Sequence, residues 1–255
     1  MENTGVEKQT ILTNSSEKEL STREGFQKTF AQAPIPSNEI LANLPLFMNR
    51  QAMSRLLFMH DLYRMIIPVH GIIIELGVRW GTNLASFSAF RGMYEPYNYN
   101  RKIVGFDTFS GFPSVAKEDG SEPGVVKGAY GVSPDYEKYL ESVLAYHETE
   151  CPLPHIRKFE LHKGDAGVTL EKYLKDHPET IIALAYFDFD LYEPTKKCLQ
   201  LIKNHLTKGT VLGFDELNWP QFPGETLAVK EVLGLDRYSI RRSPHNPNPS
   251  YIVIE

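Results

Sequence analysis

The sequence predicts an α/β protein in which a mostly parallel sheet of seven strands carries helices on both faces. Short apolar runs alternate regularly with amphipathic segments, and Gly- or Pro-containing turns separate them. Such alternation produces parallel strands, because each intervening helix returns the chain to the same end of the sheet. The last two strand candidates can form a terminal antiparallel pair.

The elements follow in order along the chain. Parallel strands are expected at 72–76, 102–107, 156–162, 181–187 and 210–214, and the closing pair at 238–241 and 251–254. Helices are expected at 83–93, 133–147, 169–175, 194–205 and 225–233, with Lys208-Gly209 ending the fourth of them. Residues 1–36 are polar and predict a loosely ordered arm, 37–70 a helical extension, and 71–255 the main domain. A Gly-rich insertion at about 111–133 is expected to form a lid over the acceptor, with plain disorder as the alternative.

Composition narrows the class of function. The 255 residues are 42% hydrophobic and carry a net charge of −5 without a dense Lys/Arg stripe, which argues against nucleic acid as a partner. No apolar run is long enough to span a membrane, and no secretory signal is visible. Cys151 and Cys198 show no metal-binding or redox spacing. We therefore expect a soluble, cytoplasmic protein without a membrane partner.

The end of the first strand is a candidate cofactor site, because ligands of such sheets bind beyond the carboxyl ends of the strands. The segment ELGVRWGTN places Glu75 at the strand end, Gly77 and Gly81 in the turn, and Thr82 at the start of a helix. Glycines permit a tight turn and a close approach of backbone to ligand. The segment lacks the G-x-G-x-x-G pattern of nicotinamide dinucleotide sites. An ordinary strand-to-helix turn is the alternative explanation.

The next two strand ends add further candidate cofactor contacts. GFDTF places Asp107 where it can accept hydrogen bonds from ribose hydroxyls, with Thr108 and Phe109 beside it. HKGDAG places Asp165 within reach of an adenine amino group, although a helix N-cap explains Asp165 equally well. Dinucleotide and methyltransferase sites share an acidic residue at the end of the second strand. Asp107 therefore indicates a ribose and leaves the cofactor open.

The fourth and fifth strands end in acidic residues. AYFDFDLYEPT contains Asp188 and Asp190, which lie two apart on the strand and therefore point to one face, and VLGFDELNW contains Asp215 and Glu216. If the strands are neighbours, the four carboxylates converge and repel one another unless a proton or cation holds them. Oxygen ligands of this kind select Mg²⁺, Mn²⁺ or Ca²⁺. Solvated residues at the sheet edge are the alternative.

The chemistry that such a group supports is activation of a hydroxyl. A cation lowers the pKa of a hydroxyl that touches it, and a neighbouring carboxylate can then take the proton. We assign metal binding to Asp188, Asp215 and Glu216, and general-base catalysis to Asp190. Asp188 is also counted among the candidate cofactor contacts.

Four segments together resemble the macrocin O-methyltransferase (TylF-like) family over roughly residues 44–255: ELGVRWGTN, GFDTFSGFP, HKGDAGVTLEKYL and FDFDLYEPT. The resemblance implies a class I methyltransferase fold with a reversed final strand, S-adenosylmethionine as methyl donor, and Mg²⁺ dependence. It also implies acceptors such as deoxysugars, aminocoumarins and nucleotide-linked sugars. By the family pattern, Asp188 and the acidic pair after the fifth strand bind the metal, and Asp190 is the base. The family commonly has Asp-Asp where this chain has Asp215-Glu216.

Motifs and resemblance together predict metal-assisted O-methylation of a hydroxyl on a sugar-containing small molecule. The polar arm and the Met-rich helix of the extension also suggest a homodimer. Three alternatives remain open: a phenolic or catechol acceptor, a non-catalytic homologue that binds S-adenosylmethionine, and a nicotinamide oxidoreductase, which the missing glycine pattern disfavours.

Overall fold

The computed structural model describes residues 15–255, which form seven strands and seven α-helices around one sheet. The strands are β1 (Ile72–Leu76), β2 (Ile103–Asp107), β3 (Phe159–Lys163), β4 (Ile182–Phe187), β5 (Leu206–Phe214), β6 (Arg241–Arg242) and β7 (Ser250–Val253). The helices are α1 (Glu17–Ala31), α2 (Arg50–Ile66), α3 (Thr82–Tyr94), α4 (Tyr136–Thr149), α5 (Ala166–Asp176), α6 (Tyr192–Ile202) and α7 (Gly224–Val232). None of these helices is both long and apolar enough to cross a membrane.

The sheet confirms the predicted fold class. Its strand order is β3-β2-β1-β4-β5-β7-β6, and β1 to β5 are parallel, whereas β7 runs antiparallel to β5. The order reverses between β1 and β4, because the chain first builds outward through β2 and β3 and then returns to the other side of β1. The loops after β1 and β4 therefore diverge and leave a crevice at this point, where ligands of doubly wound sheets bind.

Both faces of the sheet are buried, which explains the apolar runs of the strands. On β1, Ile74 and Leu76 pack against α5, α6 and α7, while Ile73 lies in the core formed with α2, α3 and α4. Successive residues of a strand point to opposite faces, so Glu75 lies on the same face as Ile73. Glu75 is therefore a fully buried carboxylate among apolar neighbours.

Helix α1 departs from the prediction of a loosely ordered arm, whose first 14 residues lie outside the described part of the chain. Residues 17–31 form a helix that begins with a reciprocal capping box, in which Ser16 and Glu19 bind each other's backbone N–H groups. None of its residues is buried, and its aromatic side chains Phe26 and Phe30 lie against Phe47. Local capping and this aromatic contact order the segment.

The prediction that Lys208-Gly209 ends a helix is wrong. Helix α6 ends at Ile202, a short 3₁₀ turn follows, and Lys208 and Gly209 lie within β5. The register between β4 and β5 shifts between Ile182 and Leu184, and the Thr210 hydroxyl bridges the irregularity by donating to the Ile182 carbonyl oxygen at 2.7 Å. Gly209 adopts a φ of +91° there, so its role is in the irregular strand and not in a helix cap.

The insertion at 111–133 is ordered and attached to the start of α6. Asp119 is buried, and its carboxylate accepts hydrogen bonds from the backbone N–H groups of Ala116 at 2.7 Å and Tyr192 at 2.6 Å. A small apolar cluster joins the insertion to the loops after β4 and β5; its buried members are Phe112, Val125, Leu191 and Phe222. The insertion is therefore built into the domain, and its action as a lid stays a prediction.

Candidate active site

A cavity of about 580 Å³ opens at the carboxyl ends of the parallel strands, at the predicted position. Its size is that of a small-molecule site. Helix α2 closes one side, and the insertion contributes another part of the wall. Most of the predicted site residues line it: Gly77, Thr82, Asp107, Thr108, Asp165, Asp188, Asp190, Asp215 and Glu216. Glu75, Gly81 and Phe109 lie outside its lining, and their positions have structural explanations.

Both predicted glycines of the turn after β1 have positive φ angles and close neighbours. A Cβ on Gly77, whose φ is +93°, would lie 2.1 Å from the carbonyl oxygen of Asp188. A Cβ on Gly81, whose φ is +76°, would lie 2.3 Å from a methyl carbon of Leu140. Gly77 thus permits the approach of β1 and β4 beside the cavity, whereas Gly81 permits the packing of α3 against α4.

Glu75 connects to the cavity through Asn83. The Asn83 amide donates to Glu75 Oε1 at 2.8 Å, and within the described chain the buried Glu75 Oε2 has no hydrogen-bond partner. Burial, the largest effect, raises the pKa of Glu75 well above its usual value. Asn83 itself lines the cavity. Direct contact between Glu75 and a cofactor stays a prediction, and Asn83 was not singled out from the sequence.

Asp107 organises two loops of the cavity wall. Its Oδ2 accepts hydrogen bonds from the backbone N–H groups of Val78 at 2.7 Å and Arg79 at 2.8 Å, and its Oδ1 accepts from that of Phe109 at 2.5 Å. A carboxylate has about four acceptor sites, so one further partner remains possible in this geometry. Its predicted contact with ribose hydroxyls stays a prediction.

Three neighbouring predictions have local structural roles as well. Thr108 Oγ1 donates to the carbonyl oxygen of Gly111 at 2.7 Å, and Phe109 is buried with a φ of +54°. Asp165 caps α5, since its Oδ1 accepts from the backbone N–H of Val168 at 3.1 Å. Asp165 thus acts as a helix N-cap, and it also lines the cavity.

Five acidic side chains gather at the ends of β4 and β5, and we call them the acidic cluster: Asp188, Asp190, Asp215, Glu216 and Glu225. The pairing of Phe187 with Phe214 brings Asp188 and Asp215 out of the sheet side by side. Glu225, in the first turn of α7, accepts the backbone N–H of Glu216 at 2.9 Å. The structure thus brings the four predicted carboxylates together and adds Glu225.

Strand alternation is not what brings Asp188 and Asp190 to one place, which corrects that step of the prediction. Strand β4 ends at Phe187, and Asp190 lies beyond it with a φ of +61°. The left-handed turn directs Asp190 into the protein, where only 8% of it is exposed. For a non-glycine residue this conformation costs roughly 1–2 kcal/mol, and such strain is concentrated at functional sites.

The acidic cluster holds more negative charge than its surroundings neutralise. Burial, followed by repulsion from neighbouring carboxylates, raises the pKa of Asp188 to about 7, of Asp190 to about 8 and of Glu216 to about 11. The same two causes raise the pKa of Glu225. In the described structure, Glu216 Oε2 and Glu225 Oε1 are buried without hydrogen-bond partners. The cluster therefore retains protons unless a cation replaces them.

Arg55 of α2 bridges two members of the acidic cluster. Its Nη1 donates to Asp215 Oδ1 at 2.8 Å, and its Nη2 forms an ion pair with Asp188 Oδ2. The Tyr186 hydroxyl donates to the same Asp215 oxygen at 2.6 Å. Between residues 15 and 255, Arg55 is the only basic side chain that makes an ion pair with the cluster.

Arg55 and Glu225 are not among the predicted site residues, although the sequence contains a signal for both. Arg55 precedes the buried Met59 by four residues, so it lies on the apolar face of α2. Glu225 precedes the buried Ala228 by three residues and lies on the buried face of α7. A charged residue on the buried face of a helix needs a partner, which is a reason to place it in a polar site.

A divalent cation fits the chemistry of the acidic cluster, although the described residues do not form a ready metal site. In residues 15–255, no three His, Cys, Asp or Glu side chains are arranged so that they could hold an ion, and Arg55 lies between Asp188 and Asp215. Two buried carboxylate oxygens nevertheless lack partners, and all the donors are carboxylates, as hard cations prefer. Mg²⁺ binding by Asp188, Asp215 and Glu216 stays a prediction.

Comparison with known proteins gives close structural relatives. No protein-family model matches the chain, and no curated protein matches it significantly in sequence. The crystal structure of CalS11, the calicheamicin methyltransferase, is 45% identical, covers 94% of each chain and has a TM-score of 0.92. The apo structure of CalS11, a TDP-rhamnose 3'-O-methyltransferase of calicheamicin biosynthesis, is 42% identical, covers 95% of this chain and 96% of that one, and has a TM-score of 0.84.

A third structure, the O-methyltransferase NovP, is 17% identical over 79% of each chain with a TM-score of 0.60, and shows the shared fold alone. The CalS11 likeness extends over 94% of this chain. The chain therefore belongs to the macrocin O-methyltransferase (TylF-like) family of class I S-adenosylmethionine-dependent sugar and natural-product O-methyltransferases, and it is an S-adenosylmethionine-dependent O-methyltransferase.

Proposed function

We propose that the enzyme methylates a hydroxyl group of a sugar-containing small molecule with the help of a divalent cation. The observation that carries the proposal is the single cavity that joins the predicted donor site after β1 and β2 to the acidic cluster after β4 and β5. Asp188, Asp215 and Glu216 would hold the cation, with Mg²⁺ as the first candidate and Mn²⁺ or Ca²⁺ as alternatives. The CalS11 enzyme acts on TDP-rhamnose, so a nucleotide-linked deoxysugar is the first acceptor to test.

The donor side of the cavity would bind S-adenosylmethionine through backbone and carboxylate groups. Gly77 keeps the loop after β1 close to the Asp188 backbone, and Asp107 holds that loop in place through two hydrogen bonds. The remaining acceptor capacity of Asp107 is available to ribose hydroxyls. Thr82 and Asp165 line the same part of the cavity, where Asp165 is available to an adenine amino group.

The acceptor side has to prepare a hydroxyl, because the sulfonium methyl group is already a good electrophile and needs mainly alignment. A bound divalent cation lowers the pKa of a hydroxyl that touches it. Asp190 is the proposed general base, since it is buried beside the carboxylates that would hold the cation and lines the same cavity. In the transfer, the hydroxyl oxygen bonds to the methyl carbon, the carbon–sulfur electron pair returns to sulfur, and Asp190 receives the proton.

A methyl-transfer assay tests the proposal. S-adenosylhomocysteine formation is followed with TDP-rhamnose, a free glycoside and a catechol as acceptors, each in Mg²⁺ and in chelator. We expect turnover with the sugar nucleotide and its loss on chelation. Turnover with the catechol alone would favour a phenolic acceptor, and full activity in chelator would contradict the role of the cation. Binding of S-adenosylmethionine without turnover on any acceptor would point to a non-catalytic homologue.

The role of Asp190 is tested separately by Asp190→Asn. Removal of a general base lowers kcat by about 10²- to 10⁴-fold, while binding of S-adenosylmethionine should be unchanged. Asp176→Asn, at the exposed end of α5, is the matched control and should behave as the unaltered enzyme. Near-normal turnover of a folded Asp190→Asn enzyme would show that another group takes the proton.

A further inference from the structure

Arg55 connects the two ends of the cavity. Its two Nη atoms reach Asp188 and Asp215, and its Nε donates to Asn83 Oδ1 at 3.2 Å. Asn83 in turn donates to the buried Glu75 at 2.8 Å. One guanidinium thus bridges the carboxylates after β4 and β5 and joins them, through the Asn83 amide, to the buried carboxylate of Glu75 within β1.

The position of this guanidinium conflicts with the simultaneous use of both carboxylates as cation ligands. Arg55 already binds Asp188 Oδ2 and Asp215 Oδ1, and its positive charge lies where it would repel a cation held by both carboxylates. The Tyr186 hydroxyl adds a second donor to Asp215 Oδ1. A carboxylate oxygen that already accepts two hydrogen bonds is a weaker ligand for a further cation.

The charge balance explains why the chain places an arginine there. The side chains of Asp188 and Asp215 are only 26% and 16% exposed, so two adjacent carboxylates without a counter-ion would strongly destabilise the fold. The planar fork of arginine presents two Nη groups in a fixed geometry, one to each carboxylate, whereas lysine carries a compact charge on a flexible stem. About a third of the Arg55 side chain remains exposed in the cavity, which gives it room to move.

We infer that Arg55 is a positioning residue that serves as the internal counter-ion of Asp188 and Asp215 and competes with the divalent cation for them. This inference rests on the proposed cation-assisted function. With no cation, Arg55 binds both carboxylates at the carboxyl ends of β4 and β5 and keeps them from separating. When a cation binds, Arg55 releases at least one of them, and its link to Asn83 and Glu75 changes at the donor end of the cavity.

Removal of a residue that binds the cation would weaken cation binding. Removal of Arg55 should instead tighten it, because Arg55 competes with the cation for the two carboxylates. Isothermal titration with Mg²⁺, without donor or acceptor, compares the unaltered protein with Arg55→Met, which keeps the length and apolar stem of the side chain. We expect the Kd for Mg²⁺ to fall at least about tenfold, which corresponds to about 1.4 kcal/mol. Arg55→Lys should lie between the two, because lysine keeps the positive charge but lacks the rigid fork that holds both carboxylates. Arg64→Met, at an exposed position of the same helix, is the control and should bind as the unaltered protein.

Thermal melting gives a second readout that distinguishes competition from a purely structural role. Arg55→Met should melt at a lower temperature in chelator, because two half-buried carboxylates lose their partner, and should gain more from Mg²⁺ than the unaltered protein. An equal loss of stability with and without Mg²⁺ would overturn the inference. Arg55→Lys binding Mg²⁺ as tightly as Arg55→Met would overturn it as well.

The same titrations separate this inference from the proposed function. If the unaltered protein binds Mg²⁺ and Arg55→Met binds it no more tightly, the competition is refuted while cation binding stands. If neither protein binds Mg²⁺, both proposals fall. Binding by Arg55→Met alone would support the inference in its strongest form.

Discussion

Substitution of Gly77 by alanine tests whether the contact between β1 and β4 positions the site. Gly77 lies directly after β1 with a φ of +93°, and an added Cβ would be 2.1 Å from the Asp188 carbonyl oxygen. The neighbouring Asp188 N–H donates to the Leu76 carbonyl oxygen at 2.8 Å. The added methyl group must therefore displace the backbone of the same residue whose side chain belongs to the acidic cluster.

The expected magnitude follows from two contributions. A left-handed backbone costs a non-glycine residue roughly 1–2 kcal/mol. In addition, the oxygen has to retreat by about 1 Å or more to reach an ordinary non-bonded distance of about 3.5 Å, and loss of the Asp188–Leu76 hydrogen bond would add about 1 kcal/mol. Gly77→Ala should lower the free energy of unfolding by about 3 kcal/mol in total, and a displacement of about 1 Å in the site can lower activity by about 10²-fold.

Gly128→Ala is the matched control for Gly77→Ala. Gly128 also has a positive φ, +84°, but a Cβ there would meet nothing within 4 Å, so this variant carries the backbone strain without the collision. Denaturant unfolding should show a loss of roughly 1–2 kcal/mol for Gly128→Ala, with methyl transfer near that of the unaltered enzyme. Equal losses of stability and activity in both variants would refute the reasoning, since strain alone would then explain them.

Two further predictions concern pH and the insertion. Asp188 and Asp190 have pKa values of about 7 and about 8 in the folded protein, above their ordinary 3.8, so their contribution to stability is full below about pH 4 and is lost as pH rises toward 8. As pH rises from about 5 to about 8, these carboxylates lose their protons and become available to a cation, so stabilisation by Mg²⁺ should grow. Melting curves with and without chelator measure this gain. A gain that does not change with pH would contradict binding of the cation by these carboxylates. Asp119→Ala leaves two buried N–H groups without their acceptor and should lower the free energy of unfolding by about 2–3 kcal/mol. The exposed Glu118→Ala should change it little, and equal effects of the two substitutions would show that Asp119 does not anchor the insertion.

Much of the fold is predictable because its signals are local. Strands buried on both faces require unbroken apolar runs, and helices between them require one apolar face, so both patterns are visible along the chain. Glu75 stands out within the apolar run of β1 for the same reason. The beginning of β5 was not predictable, because its pairing with β4 includes a register shift that depends on the Thr210 hydroxyl and on the conformation of Gly209.

Helix α1 contains a local helix signal that the polar composition of its segment concealed in the prediction. Ser16 and Glu19 form a capping box that is recognisable in the sequence, yet the surrounding residues are polar and predict disorder. The contact of Phe30 with Phe47, 4.8 Å between ring centroids, joins the helix to a segment that precedes α2. That contact depends on the path of the chain between the two.

The sequence alone determined the α/β architecture and the strand ends at which Asp107, Asp188 and Asp215 would appear, because burial of a strand and exposure of its end are properties of neighbouring residues. Only the tertiary structure decided which groups these carboxylates meet. Arg55 is 133 residues from Asp188 and 160 from Asp215, and its contact with both depends on how α2 packs across β4 and β5. The charge state of the acidic cluster follows from that packing, since burial and the distance between charges are set by elements that are remote in the chain.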